Sequence, residues 1–253
     1  MFFADWLAHP FFFFIPVIIF VAYIIFGMTG FGSAVICVPL LAYFFPLKIV
    51  IPFVCMLDVL ASGWTGLKNI QHIDKKEVSY LVPFMLIGIT LGTTLLVNLS
   101  QRHLLIALAI FIFSYGGYLF LNPHIKKQID RKWISLFGVS GGIFGALFGT
   151  GGPIYMIYLS NRLTHTGQLR ATMSVIISVS TILRVALFAL SGLLWQEMFV
   201  YALPIAIILM FAGLKIGHHF HAMLSQAQLI RVIAFLLLGN GLLLILKSFN
   251  FLF

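Results

Sequence analysis

Phe26-Gly-Met-Thr-Gly-Phe-Gly-Ser-Ala-Val35 decides how this chain is read. Its three glycines, at 27, 30 and 32, fall within a run from Pro10 to Leu47 that contains no charged residue. As one straight helix that run would be roughly 57 Å long at about 1.5 Å per residue, against a hydrocarbon core of about 30 Å. A single span cannot hold it. The glycines therefore mark a break, with one segment near 11–28 and a shorter one near 31–45 that ends before Pro46. The stretch has a counterpart: from 145 to 154 the chain reads Gly-Ala-Leu-Phe-Gly-Thr-Gly-Gly-Pro-Ile, inside a second uncharged run, Trp133–Asn161. Gly30-Phe-Gly-Ser33 lines up with Gly149-Thr-Gly-Gly152.

Composition sets the class around these two breaks. Of 253 residues, 62% are hydrophobic and 8% charged, and the mean hydropathy is +1.12. Polar side chains are too few to cover a soluble fold, so the chain reads as an integral membrane protein with the lipid bilayer as its solvent. Continuous apolar runs without period-2 alternation select helices over a barrel. The expectation is an all-α, polytopic, multi-pass protein of a bacterial-type inner (plasma) membrane. A net charge of +9 would suit nucleic acid, but the Lys and Arg lie in short loops between apolar runs, where the positive-inside effect accounts for them. No nucleic-acid partner is expected. The N-terminus carries Asp5 and no Lys or Arg before the first apolar run, so it lacks the basic region of a cleavable signal peptide. Cys37 and Cys55 sit inside apolar runs and read as small buried hydrophobes, not as a disulfide or a metal pair.

Further spans are expected near 49–67, Ser79–Leu99, Leu104–Leu121, 171–194, 198–218 and 226–247. The polar segment Asn122–Lys132 holds Lys126, Lys127, Arg131 and Lys132 and divides the chain into a membrane repeat over 1–121, a basic cytoplasmic linker over 122–132 and a second repeat over 133–253. Three anchors support the duplication: the glycine breaks align at an offset of 119, Gly88-xxx-Gly92 aligns with Gly213-xxx-Gly217 at 125, and Leu99-Ser-Gln101 aligns with Leu224-Ser-Gln226 at the same 125. Ala109 with Ala234 and Gly116 with Gly241 follow in the same register. The glycine pairs have the small-xxx-small spacing that lets helix backbones approach closely.

Charge counting orients the halves. If each break were a single bent pass, the repeats would be parallel and the Lys and Arg would divide into 8 cytoplasmic and 6 external, with Arg184 in the membrane. If each break is the tip of a hairpin that returns to its own side, the second half is inverted and the split becomes 11 against 3, the external ones being Lys48, Arg102 and Lys247. The positive-inside rule favours the second arrangement: two inverted repeats of about four to five helical segments each, with glycine-broken segments near 27–34 and 145–153.

A helix that begins at mid-membrane leaves amide N–H groups without an intrahelical partner, and in hydrocarbon each needs an acceptor. A small anion supplies one. Gly30, Gly32, Gly149, Gly151 and Gly152 would let the backbone turn and a ligand come close, and the helix N-termini beyond them add positive dipole. Ser33 and Thr150 would contribute hydroxyl donors. The competing reading is that these glycines only permit close packing of helices. Paired breaks at matching places in two halves favour a transporter's binding site.

The paired glycine-rich breaks, the two four-to-five-helix halves and the basic central linker resemble the TauE/SafE family of sulfite and organosulfonate exporters, the TSUP permeases. Members commonly carry three glycines after the first glycine of each break, whereas here the halves read Gly30-Phe-Gly-Ser-Ala34 and Gly149-Thr-Gly-Gly-Pro153. The resemblance implies a carrier for sulfite or small sulfur-containing anions; spacing alone does not.

Two charges fall within the apolar spans, where a charge is costly enough to suggest function. Arg184 would face the cavity and attract the anion. Asp58, at the roughly corresponding place in the first half, would pair with Arg184 or carry a coupling proton; a purely structural ion pair or snorkelling is the alternative. His218-His-Phe-His221 looks like a metal cluster, but neighbours on a helix point in different directions, and no metal or other cofactor is expected. His9, His72, His103, His124 and His165, like Trp6, Trp64, Trp133 and Trp195, lie at expected membrane borders. No Walker motif, nucleophile elbow or HExxH is present. The sequence thus points to a secondary transporter for small anions working by alternating access, not an enzyme, and is compatible with a homodimer. An intramembrane enzyme, a passive anion channel and an assembly factor are the rival readings.

Overall fold

The computed structural model describes residues 14–30, 32–66, 73–121, 129–163, 165–220, 237–241 and 244. Every regular element among them is helical: α1 Phe14–Thr29, α2 Ser33–Leu41, α3 Leu47–Gly66, α4 Lys75–Asn98, α5 Gln101–Leu121, a 3₁₀ turn at Arg131–Trp133, α6 Ile134–Phe148, α7 Gly151–Ser160, α8 Thr166–Leu190 and α9 Glu197–Phe220. Residues 237–241 are helical as well. The expected span near 226–247 otherwise lies outside the described residues, as do Asp5, linker residues 122–128 and the Leu224-Ser-Gln226 anchor. Four of the described helices, α3, α4, α8 and α9, contain stretches long and apolar enough to cross a membrane. α4 starts at Lys75, four residues earlier than its apolar run suggests, because the Asp74 carboxylate caps it, accepting from the amides of Lys76 and Glu77 at 3.0 Å each.

Both glycine breaks are tight turns between two short helices. α7 turns back along α6: Gly145 lies against Gly151, and a Cβ on Gly141, one turn earlier, would overlap the ring of Tyr155. A bent single pass would hold Gly141 and Tyr155 about 20 Å apart along the chain. α2 likewise packs back on α1. The two turns share a hydrogen bond at matching positions, Gly30 N–H to Phe26 O at 2.7 Å and Gly149 N–H to Gly145 O at 2.9 Å. Gly30, Gly32 and Gly149 have φ of 78°, 98° and 72°, the left-handed region in which a Cβ is strained. Gly27 departs from the expected break. It lies inside α1, where a Cβ would come within 2.7 Å of the Leu214 carbonyl oxygen of α9.

The halves contact each other reciprocally. α1 packs on α9, and α6 packs on α4. A Cβ on Gly88 or Gly92 would collide with the carbonyl oxygens of Val139 or Ile143, and one on Gly213 or Gly217 with those of Phe20 or Ile24. Val139 and Ile143 stand 119 residues after Phe20 and Ile24, as Gly213 and Gly217 stand 125 after Gly88 and Gly92. The glycine pairs are therefore close-approach faces, each receiving the first helix of the other half. A third exchange joins Gly116 to Leu238 and Gly241 to Phe113. α3 and α8 cross in opposite directions, since Cys55 reaches the Thr181 carbonyl while the amide of Asp74, beyond the end of α3, donates to Thr172 Oγ1 at 3.0 Å. Two buried apolar clusters result, one centred on α1, α2, α3, α5 and α9 and the other on α4, α6, α7 and α8. The hairpin tips lie where the two clusters meet.

Candidate functional site

The tips touch. A Cβ built on Gly149 would stand 2.5 Å from the Ala34 Cβ and 3.8 Å from Arg184 Nη1, so the first turn of α2 and the break before α7 share one volume. That volume is a cavity lined by Gly32, Ser33 and Val35 from the α2 side, Gly149, Gly151, Gly152, Pro153 and Tyr155 from the α6–α7 side, Phe26 of α1, Asp58 of α3, and Ile177, Ser180 and Arg184 of α8. About 20 Å³ of it is open to the centre of a water molecule, room for one or two water-sized groups.

Positive potential dominates on two sides. α2 and α7 both begin at the cavity, and the amides of their first turns have no acceptor within their own helices. Pro153, third residue of α7, has no N–H to leave unsatisfied. Arg184 is 4% exposed. Its Nη1 donates to the Gly145 carbonyl at 2.9 Å and its Nη2 to Thr181 Oγ1 at 3.0 Å, the first bond placing the guanidinium at the negative C-terminal end of α6. Its Nε–H is buried and has no hydrogen-bond partner.

Asp58, 5% exposed, stands in the same cavity. Tyr23 Oη donates to its Oδ1 at 2.8 Å and Ser33 Oγ to the same oxygen at 2.6 Å. The expected pairing of Asp58 with Arg184 is not made: the ion pairs among the described residues join Glu77 to Arg131 and Arg162, and Lys132 to Asp130. Each buried charge has its own local partners, so the two face one cavity without neutralising each other by contact.

Of the residues singled out in the sequence, Gly32, Ser33, Gly149, Gly151, Gly152, Asp58 and Arg184 line the cavity. Gly30 forms the turn beside it. Thr150 does not supply a hydroxyl there; its Oγ1 and its amide both bond the Phe144 carbonyl at 3.3 Å, closing the end of α6. Ser33 directs its proton to Asp58, so its hydroxyl oxygen, not its O–H, is left for a guest. Two polar lining residues escaped the sequence reading, although helical spacing marks both: Tyr155 follows Gly151 by four residues and Ser180 precedes Arg184 by four, which puts each on its partner's face. Tyr23, fully buried two turns before the first break, was legible only as a lone hydroxyl in an apolar helix.

A second polar cluster sits at the other end of α7. Glu77, 2% exposed, accepts from Arg131 and Arg162 at 2.9 and 3.0 Å and from Tyr158 Oη at 2.9 Å, tying the end of the linker and the end of the hairpin to α4. Arg131 also stacks over Tyr80, 4.9 Å from the ring centre. Among the described residues no group of His, Cys, Asp and Glu could hold a metal ion; His221 lies outside them.

Comparison with known proteins follows the same line. The sequence model of a family described as "Sulfite exporter TauE/SafE" matches residues 15–244. The "Probable inner membrane transporter protein TsaS" of Comamonas testosteroni is 27% identical over 195 residues, which cover 75% of this chain and 80% of that protein. No solved structure matches.

Proposed function

The chain belongs to the sulfite exporter TauE/SafE family of membrane transporters, and from that premise we propose that it carries a small sulfur oxyanion or sulfonate across the inner membrane by alternating access. The observation behind the substrate class is the convergence of two helix N-termini and the Arg184 guanidinium on one buried cavity. Amides and a guanidinium bind through oxygen acceptors spread over a compact anion, which is the shape of sulfite and of a sulfonate head. The cavity has room for one or two water-sized groups, so a larger guest enters only as its lining moves.

The reciprocal contacts between the halves and the antiparallel crossing of α3 and α8 support a pair of repeats of opposite orientation about this site. In that arrangement each half can rock against the other around a fixed centre. The end that carries Lys75, Lys76, Arg131, Lys132 and Arg162 is then cytoplasmic.

Uptake into proteoliposomes tests the reading. Radiolabelled sulfite, thiosulfate and small sulfonates should enter saturably and show counterflow, and Gly32→Leu, which fills the cavity from a left-handed position, should lower that flux at least tenfold while the protein still inserts. Linear, non-saturating flux would make the protein a pore instead.

A further inference from the structure

We propose that the protein is an anion–proton symporter in which Asp58 carries the proton. This rests on the anion-carrier reading above and adds the coupling ion to it. Charge has to balance within a closed volume. With the cavity empty, Arg184 and Asp58 contribute opposite charges to the same buried lining, 4% and 5% exposed. A monovalent anion that enters takes the positive charge of Arg184 for itself and leaves the carboxylate uncompensated beside a like charge. A buried net charge is costly, and two like charges in one small cavity more so. One proton on Asp58 restores neutrality, so anion and proton bind together and leave together.

The carboxyl keeps one oxygen free for that proton. Tyr23 and Ser33 both donate to Oδ1, and among the described residues no other hydrogen bond falls on the group, so Oδ2 is the oxygen left for a proton. Ser33 is also the first residue of α2. The group that reports the state of Asp58 is thus part of a hairpin tip that must move for the anion to pass. Among the described residues the other titratable groups facing Asp58 are Tyr23 on α1, Cys37 on α2, Cys55 on α3 itself, Tyr155 on α7 and Arg184 on α8. α5, α6 and α9, which also touch α3, place no titratable side chain in the cavity. Asp58 is therefore the carboxylate available to the site, and the hydroxyls and thiols around it begin neutral.

The test uses methanesulfonate and ethanesulfonate, monovalent anions that keep their charge across the working pH range and bring no protons of their own. Purified protein is reconstituted with a pH-sensitive dye inside the vesicles, and anion and proton entry are followed together. Expected are acidification of the lumen in step with anion entry, uphill accumulation driven by an inward proton gradient, and anion affinity that tightens about tenfold per pH unit as pH falls. Asp58→Asn, which mimics the protonated carboxyl, should remove the pH dependence of affinity and the uphill accumulation. Anion entry without acidification, with affinity independent of pH in the parent protein, overturns the symport and leaves the carrier standing. Absence of entry for both anions and for sulfite, in protein that is folded and inserted, overturns the carrier and the symport with it. Because the first two readouts need no variant, a poorly folding Asp58→Asn does not shield the proposal.

Discussion

Two of the five N–H donors of Arg184 are engaged, by the Gly145 carbonyl and by Thr181, and its Nε–H is buried without a partner. The side chain therefore has two tasks, pinning the end of α6 and presenting charge to the cavity. Arg184→Gln keeps much of the shape and loses the charge; charge-assisted hydrogen bonds are worth about 1.5–3 kcal/mol each, so anion affinity should fall roughly ten- to a hundredfold. Arg184→Lys should fall between, since the ammonium keeps the charge without the planar fork. Anion-induced thermal shifts of the purified variants measure both, and equal shifts in parent and Arg184→Gln would remove Arg184 from the site. At this scale the sequence was readable wherever a residue was chemically out of place. A lone Arg and a lone Asp in apolar spans announce themselves, and both line the cavity. Thr150 was misjudged because which way a hydroxyl points depends on a carbonyl six residues away that the turn brings back to it.

The helices differ in what their glycines do. A Cβ at Gly217 would run into the Ile24 carbonyl of α1, whereas one at Gly63 in α3 would meet nothing within 4 Å. Overpacking a tight contact costs about 1–3 kcal/mol or more, while relieving a helical glycine of its conformational freedom gains about 0.5–1 kcal/mol. Gly217→Ala should lower the thermal midpoint in detergent, and Gly63→Ala should leave it unchanged or raise it slightly. Gly92→Ala should match Gly217→Ala, because the two positions make equivalent contacts in opposite halves, with the Ile143 and Ile24 carbonyls. If Gly217→Ala and Gly63→Ala melt alike, the close α1–α9 contact is not part of the fold. The small-xxx-small spacing flagged these faces in the sequence, but not the helices that fill them, since a spacing describes one surface and a contact needs two. The same limit applied to Gly27, which shares a stretch with the break and yet serves the α1–α9 seam.

On the scale of the molecule, the antiparallel crossing of α3 and α8 and the exchanged contacts between halves lead to a labelling prediction. Lys132→Cys and Trp195→Cys replace exposed residues at opposite ends; an impermeant maleimide added outside intact cells should modify the second and reach the first only after the membrane is opened. Modification of both from one side would rule out halves of opposite orientation. The Glu77 cluster adds an asymmetry to the pair, holding α4, α7 and the linker end together at one face by ionic contacts, where the opposite face has Lys48 bonded to the Val97 carbonyl and Gln101 to the Leu47 amide. The sequence by itself determined that this is a helical membrane protein with two interrupted segments, because hydropathy, length and glycine spacing are local quantities that act the same wherever the helices sit. Only the tertiary structure decided that the interruptions are hairpins whose tips meet, that Asp58 and Arg184 share a cavity without pairing, and that Tyr23 and Ser33 hold the carboxylate. Those facts depend on distances between residues far apart in the chain, and in a bilayer such distances follow from which small-residue face accepts which helix, a choice among surfaces of equal hydrophobicity.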